Sequence, residues 1–336
     1  VGANIAGLQL LLDDGTDLAT KINPRFLELT LTEKRGDEAD ELSLTLHNHD
    51  GRLAAPETGR VLTLALGWKA RSSGDNGPST GLVGKGRFKV DEVEESGPPD
   101  VITIRARSAD LGGDYRKRRT QVWRDTTVGA VLDTIAGRYG VESLVHPDLR
   151  GAAIAVLDQH GKSDMALVKD LGSRFDALAT WKDRKLIFMP VGAQTTPTGK
   201  AIPSLTLTRR NGWTWRFSRA DREENDGAEA EWHDPADGKR KKVGTGGTKP
   251  KKLKRVYGSQ AEAQQAAKSA AGKGKRGAFK FEYDLAQADM QIQPNARVRL
   301  AGWNARIDAI EWLVESVETS LGAGGLLQKI TLESNT

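Results

Sequence analysis

GDEADELSLTLHNHDGRL, residues 36–53, is the stretch on which the fold turns, because two chemical readings compete there with a structural one. Asp37 to Asp40 spell the acidic box of a helicase, and His47, Asn48 and His49 resemble a nuclease metal site. Yet Leu42, Leu44 and Leu46 alternate with Ser43, Thr45 and His47, the period of two that puts apolar side chains on one face of a half-buried strand. Asn48, Asp50 and Gly51 then supply turn chemistry. A helicase also needs a Gly-x4-Gly-Lys-Ser/Thr loop to hold nucleotide phosphate, and the chain contains none. His47, His49 and Asp50 form a thin ligand set, whereas zinc normally takes three or four protein ligands. The stretch predicts a strand running into a turn that carries surface histidines.

Neighbouring segments repeat the pattern. Residues 6–12, 26–32, 61–66, 87–94 and 101–107 read as strands, with RSSGDNGPSTG (71–81) as a hairpin tip and ESGPPD (95–100) as a turn. Six or seven strands without a helix within 107 residues predict a barrel or sandwich. The period changes after YRKRR (115–119). Thr126 or Thr127 can cap a helix carrying Val128, Val131, Leu132, Ile135, Ala136 and Tyr139, and a second helix is expected near Ser163, carrying Leu167, Val168, Leu171 and Phe175. AIAVLDQ, ALATW and LIFM read as strands, so residues 110–192 are expected to form a small α+β domain.

Strand character returns at SLTLTRR and WTWRFSR. The latter sets Trp213, Trp215 and Phe217 on one face, read as core or inter-domain packing or as a ligand platform. SQAEAQQAAKSAA (259–271) is a helix by propensity, with Ser259 and Glu262 as its capping box. The two strand-rich parts also echo each other. VLTLALGW (61–68) matches ARVRLAGW (296–303), and FKVDEVEES from Phe88 matches WLVESVETS from Trp312. The expected fold is mainly β: two tube-like barrels, 1–109 and 193–336, of duplicated origin, flanking the α+β domain.

Composition narrows the function. There are 336 residues and no cysteine, which excludes disulfides and thiolate metal sites and suits a reducing compartment. The opening VGANIAGLQLLLDDG lacks the basic flank of a signal peptide, and no run approaches the roughly 18 apolar residues of a membrane span. A soluble protein is expected. Net charge is +5, but KRKKVGTGGTKPKKLKR (239–255) holds nine Lys or Arg and no acid. With its glycines and Pro250, the segment 238–256 is read as a basic loop that meets an acidic partner, touches DNA or another channel occupant, or has no specific role. His146, His160 and His233 have no serine or carboxylate at a triad spacing. Asp91, Glu92, Glu94 and Glu95 alternate along a strand, which suits solvent or subunit contacts better than paired catalytic acids. No residue is assigned a catalytic, cofactor-binding or metal role, and no cofactor is expected.

EADELSLTLHNHDGRLAAPETG, GRFKVDEVEESGPPDVITIRARSAD, YRKRRTQVW, LDQHGKSDMALVKDLGSRFDALATW, VYGSQAEAQQAAKSA and GAGGLLQKITLES together resemble the late control protein D family. These are tail hub proteins of contractile-tailed temperate phages, similar to the hub portion of secretion-system spike proteins. The resemblance implies a homotrimer whose six barrels join the six-fold inner tube to the three-fold central spike and help to start the tube. It implies further contacts with tape measure and baseplate proteins, a place in the virion tail after assembly in the host cytoplasm, and no enzyme activity. A headless bacteriocin or injection particle would use the same hub. A DNA-binding control protein is the rival of another class, but no helix-turn-helix or zinc-finger spacing supports it. A secretion spike is disfavoured because no needle repeat follows the last strand, and no unassigned block is long enough for a lysozyme domain.

Overall fold

The computed structural model describes residues 5–36, 39–54, 56–70, 81–108, 113–182, 184–219 and 225–335. The first unit contains β1 (Ile5–Leu12), α1 (Ala19–Ile22), β2 (Phe26–Lys34), β3 (Glu41–His47), β4 (Val61–Ala70), β5 (Gly81–Ser96) and β6 (Val101–Ser108). These strands pair antiparallel in the order β1-β4-β5-β6-β3-β2. Strand β5 serves two partners, the first half lying on β4 and the second on β6, so the sheet curls around one core. Leu10, Leu29, Leu44, Leu64, Phe88 and Ile104, one from each strand, fill that core. The short helix α1 corrects the reading of an all-strand start; its Ile22 is buried against the same core. Residues 71–80 of the expected hairpin tip lie outside the described residues.

The middle unit comprises β7 (Arg118–Thr127), α2 (Val128–Arg138), β8 (Glu142–Val145), α3 (Pro147–Arg150), β9 (Ala153–Ser163), α4 (Asp164–Phe175), β10 (Ala177–Lys182) and β11 (Lys185–Pro190). Both long helices start where the caps predict. Thr127 accepts from Ala130 N and Ser163 from Ala166 N, each closing an otherwise unpaired donor of the first turn. Their apolar stripes meet Phe188 and Leu186 of β11 in a separate core.

The last unit contains β12 (Leu205–Thr208), β13 (Gly212–Arg219), β14 (Gly227–His233), β15 (Arg240–Gly244), β16 (Pro250–Tyr257), α5 (Gln260–Lys275), β17 (Phe279–Leu285), β18 (Arg297–Ala301), α6 (Ala305–Asp308), β19 (Glu311–Gly322) and β20 (Gly325–Ser334). Its main sheet runs β12-β18-β19-β20-β17-β13, the strand order of the first unit over again, except that β12 lies parallel to β18 where β1 lies antiparallel to β4. Irregularities recur too. Asp91 is the extra residue where β5 leaves register with β6, and Glu315 is the extra residue where β19 leaves register with β20. The quoted match of Phe88 with Trp312 therefore agrees with the pairing. The match of Trp68 with Trp303 does not: Leu62 opposes Phe88 and Val298 opposes Trp312, which aligns those strands one residue away.

The basic run is not a loop. Strands β15 and β16 flank β14 in a small sheet, and of the run 239–255 only Lys239 and the connection 245–249 lie outside strands. Helix α5, capped by Ser259 as predicted, lays Ala263, Ala266 and Ala267 on Ala228, Ala230 and Tyr257. Small side chains let helix and sheet approach closely, which is how a segment poor in large apolar residues still packs. Lysines at successive positions, Lys241 with Lys242 and Lys251 with Lys252, lie on both faces of the sheet and obscured the strand period in the sequence.

Candidate functional site: a strand seam and two open edges

The two main sheets are one. Strand β2, at the end of the first, pairs antiparallel with β19 of the second, through Ser316 opposite Lys34, Glu318 opposite Thr32 and Leu321 opposite Leu29. Leu29, Leu31, Val317 and Thr319 are wholly buried along this seam. Across it, Trp68 Nε1 donates to the Ala288 carbonyl at 2.9 Å, and Ala288, Met290 and Leu326 of the last unit join the first unit's core.

Charges lock the seam to the middle unit. Glu33 of β2 accepts from Lys85 Nζ of β5 at 2.8 Å and from Lys182 Nζ of β10 at 3.4 Å. Lys182 also lies 3.7 Å from Asp40. Burial pushes the Asp40 carboxyl up, and Lys182 opposes that shift. Arg35 pairs with Glu333, Arg276 with both Glu333 and Asp176, and Lys280 with Glu315 at 2.8 Å. Further out, Glu262 of α5 accepts from Ala155 N at 2.9 Å and meets Arg174 at 3.0 Å, fastening α5 to β9 and α4. Asp40 and Glu262 stood out in the sequence for other reasons, Asp40 in the acidic box and Glu262 in the expected capping box, whose carboxylate turns instead to Ala155 and Arg174. Isolated charges such as Glu33 and Lys85 in alternating strands look like solvent-facing positions.

Open edges among the described strands of this sheet include β1, β12, β13 and the second half of β5. Strand β13 ends the sheet with nothing on its outer side, and the second half of β5, beyond its last pairing with β4 at Lys89, has β6 on one side only. The expected Trp213, Trp215 and Phe217 stripe is split by a bulge between Gly212 and Trp215. Trp215 stacks on Phe281 at 5.8 Å and Phe217 on Phe279 at 5.7 Å, whereas Trp213 is turned out, 67% exposed. Leu27 holds the corresponding bulge in β2 and is also exposed.

Residues 41–53 form strand β3 and the turn that follows it. Asp50 is held by Arg25 at 2.6 and 2.7 Å, which keeps its carboxyl well below the usual range. Asn48 Oδ1 accepts from Leu53 N at 3.1 Å, and the His47 and His49 rings meet edge to face at 4.7 Å. His146 is buried, 2.9 Å from Thr195 Oγ1, and accepts from Asp148 N at the start of α3, while His160 and His233 are exposed on strands. The structure brings none of these five histidines into one cluster beyond the His47 and His49 pair. Asp91 faces Arg107 at 3.3 Å, and Glu92 and Glu94 face Arg105 at 3.0 and 3.5 Å. Of YRKRR, Tyr115 is buried against Trp181 and Arg119 lies 3.3 Å from Asp164, so two of its five residues serve the middle core. Among the described residues no group of three or more His, Cys, Asp or Glu side chains is placed to hold a metal ion, and no helix is long and apolar enough to cross a membrane.

This architecture recurs in known proteins. The tail protein from Neisseria meningitidis MC58 superposes with a TM-score of 0.68 at 12% identity, covering 98% of this chain and 96% of that one. The E. coli c3393 protein, described as a component of the type VI secretion system with structural similarity to T4 bacteriophage tail proteins gp27 and gp5, reaches 0.57 at 12% identity, over 92% of this chain and 73% of that one. At such identities the likeness is one of fold. Sequence carries the kinship: the probable baseplate hub protein of Escherichia phage 186 is 33% identical over 374 aligned residues, 99% of this chain and 94% of that protein. The family model for the phage tail baseplate hub (GPD) matches residues 39–325, and the chain belongs to that family.

Proposed function

We propose that the chain is the hub of a contractile phage tail, in which three copies close into a ring of six barrels between a six-fold inner tube and a three-fold central spike. One observation carries this reading. The same six-strand order occurs twice in the chain, and the two sheets meet through different edges, β2 of the first against β19 of the second. A contact between unlike edges of like units can repeat, and when the rotation completes a turn it closes a ring. We infer that the two sheets are duplicated barrels, 1–109 and 193–336, around the α+β domain 110–192.

The role is mechanical. Sheath contraction loads tube, hub and spike along one axis, and a continuous backbone ladder with a buried seam transmits that load without bond chemistry. The partners of this reading are a homotrimer, the tube protein, the spike, and tape measure and baseplate neighbours, in a virion tail assembled in the host cytoplasm. The hub acts without catalysis and without a cofactor.

Light scattering of the purified chain, alone and with tube and spike proteins, tests the count. A mass near 109 kDa, three times the 36.4 kDa chain, is expected in at least the mixed sample. A chain that stays monomeric in every mixture overturns the ring.

A further inference from the structure

We propose that, in the assembled hub, the open edge of β13 in one copy pairs antiparallel with the open second half of β5 in the next copy, in the register set by the internal seam. The inference rests on the ring reading above and goes beyond it by naming the edges, the facing residues and the charges that select them.

The register follows from pairings already described. Beyond the shared bulge, Val93 opposes Ile104 and Val317 opposes Ile330, so Glu94 of β5 holds the place of Glu318, Glu95 of Thr319 and Ser96 of Ser320. One strand further, Ile104 opposes Leu44 and Ile330 opposes Tyr283; at the edge, Leu44 opposes Leu29 and Tyr283 opposes Trp215. Trp215 therefore holds the place of Leu29, Phe217 of Leu31 and Ser218 of Thr32. The exposed bulge residues Leu27 and Trp213 fall at the same position, an independent check on the match.

In the internal seam Val317 opposes Glu33, Glu318 opposes Thr32, Thr319 opposes Leu31 and Ser320 opposes Thr30. Carried to the open edges, Val93 faces Arg219 of the next copy, Glu94 faces Ser218, Glu95 faces Phe217 and Ser96 faces Arg216. The charges agree with this docking. The β5 end carries Asp91, Glu92, Glu94 and Glu95, all exposed, while β13 carries Arg216 and Arg219, also exposed. Diagonal neighbours on one face of an antiparallel pair reach each other. Glu95 thus lies beside Arg219, near the Arg306 guanidinium that sits 5.5 Å over the Phe217 ring, and Glu94 lies beside Arg216. An acidic edge against a basic one fixes register and rejects pairing of either edge with itself.

The chain has no cysteine, so cross-linking reads the register directly. Opposed residues on paired strands place their Cβ atoms about 4.5–5.5 Å apart, close to disulfide geometry, while a shift of four residues moves them by roughly 13 Å. Two matched variants, Glu94→Cys with Ser218→Cys and Val93→Cys with Arg219→Cys, sample both kinds of opposed pair; Glu94→Cys with Thr214→Cys is the shifted control. Each full-length variant is assembled into tail particles, oxidised mildly and run on a denaturing gel without reductant. Loss of the monomer band into species of two and three chains is expected for at least one matched pair, with the shifted and single-cysteine variants remaining monomeric. A matched ladder extending beyond three chains keeps the edge pairing and overturns the three-copy count. Three-copy particles in which the shifted pair alone cross-links, or neither matched pair does, overturn the edge pairing and keep the ring. In the mixture with tube and spike proteins, where the native chain forms its trimer, Glu95→Arg is expected to lower the trimeric fraction at least tenfold, and Arg219→Glu in the same chain to restore it; a folded Glu95→Arg chain that associates normally overturns the proposal.

Discussion

Lys85 Nζ lies 2.8 Å from Glu33 Oε2, with the two side chains 2% and 1% exposed. A buried pair of this kind contributes little net stability over apolar groups of the same size, but removing one partner strands the other charge out of water. Lys182, the second cation on Glu33, is 35% exposed and can turn to solvent. Lys85→Met is therefore expected to lower stability by about 3–5 kcal/mol, and Lys85→Met with Glu33→Leu by clearly less. Urea midpoints of the two variants check this; a single variant no worse than the double would show that Lys182 alone satisfies Glu33.

Asp164 ties the middle unit together. Arg138 Nη1 reaches both its oxygens at 2.9 and 3.0 Å, Tyr139 donates at 2.7 Å and Gln159 at 2.7 Å. Burial pushes this carboxyl up, but the hydrogen bonds from Gln159, Tyr139 and Arg138 outweigh it and hold the group below its usual range. An acid whose folded value is depressed contributes its full stability above the unfolded value of about 3.9 and loses it as pH falls through the lower folded value. Asp164→Ala is expected to cost about 3 kcal/mol at neutral pH. That difference should shrink below about pH 4, as followed by unfolding curves of both chains from pH 7 downward.

The helix starts were legible because a cap is a local device: Thr127, Ser163 and Ser259 each act within three residues. The main strands were legible because alternating leucines report a half-buried face. Strand β7 was not, since RRTQVWRDTT buries only Trp123 and takes its order from pairing with β9, thirty-odd residues away. The seam was invisible for the same reason, being a contact between Lys34 and Ser316 that no local pattern encodes. One signal was available. Val90-Asp91-Glu92-Val93 and Val314-Glu315-Ser316-Val317 each interrupt the period of two by one residue, and both interruptions are bulges.

Gly172 marks where α4 meets β10. A Cβ there would stand 2.9 Å from the Ala179 Cβ and 3.0 Å from the Ala177 carbonyl oxygen, and a backbone oxygen cannot give way as a side-chain end does. Gly172→Val is expected to destabilise the chain by about 1–3 kcal/mol through overpacking. Gly137, which has open space around its Cβ position on α2, should instead gain from Gly137→Ala by about 0.5–1 kcal/mol. Thermal unfolding of the two variants separates close approach from helix propensity.

The basic surface of the β14–β16 sheet bears on the class of function. Part of its charge is already matched, Lys242 by Glu229 at 2.9 Å and Lys241 by Asp234 and by Asp237 at 3.0 Å. Lys251, Lys252 and Lys254 stay exposed along β16. A hub that turns this basic surface to an acidic protein partner predicts that replacing all three with serine leaves the urea midpoint unchanged and reduces incorporation into tail particles. A DNA-binding protein predicts an affinity whose logarithm falls with log salt by about 0.9 per phosphate contacted, so the triple variant would flatten that slope by up to about 3. The hub reading expects the purified chain to leave duplex DNA unshifted at low salt, with or without the substitutions. Gel retardation decides: a steep salt slope in the native chain that flattens in the variant would give this sheet to nucleic acid, and an unshifted duplex beside impaired assembly would give it to a tail partner.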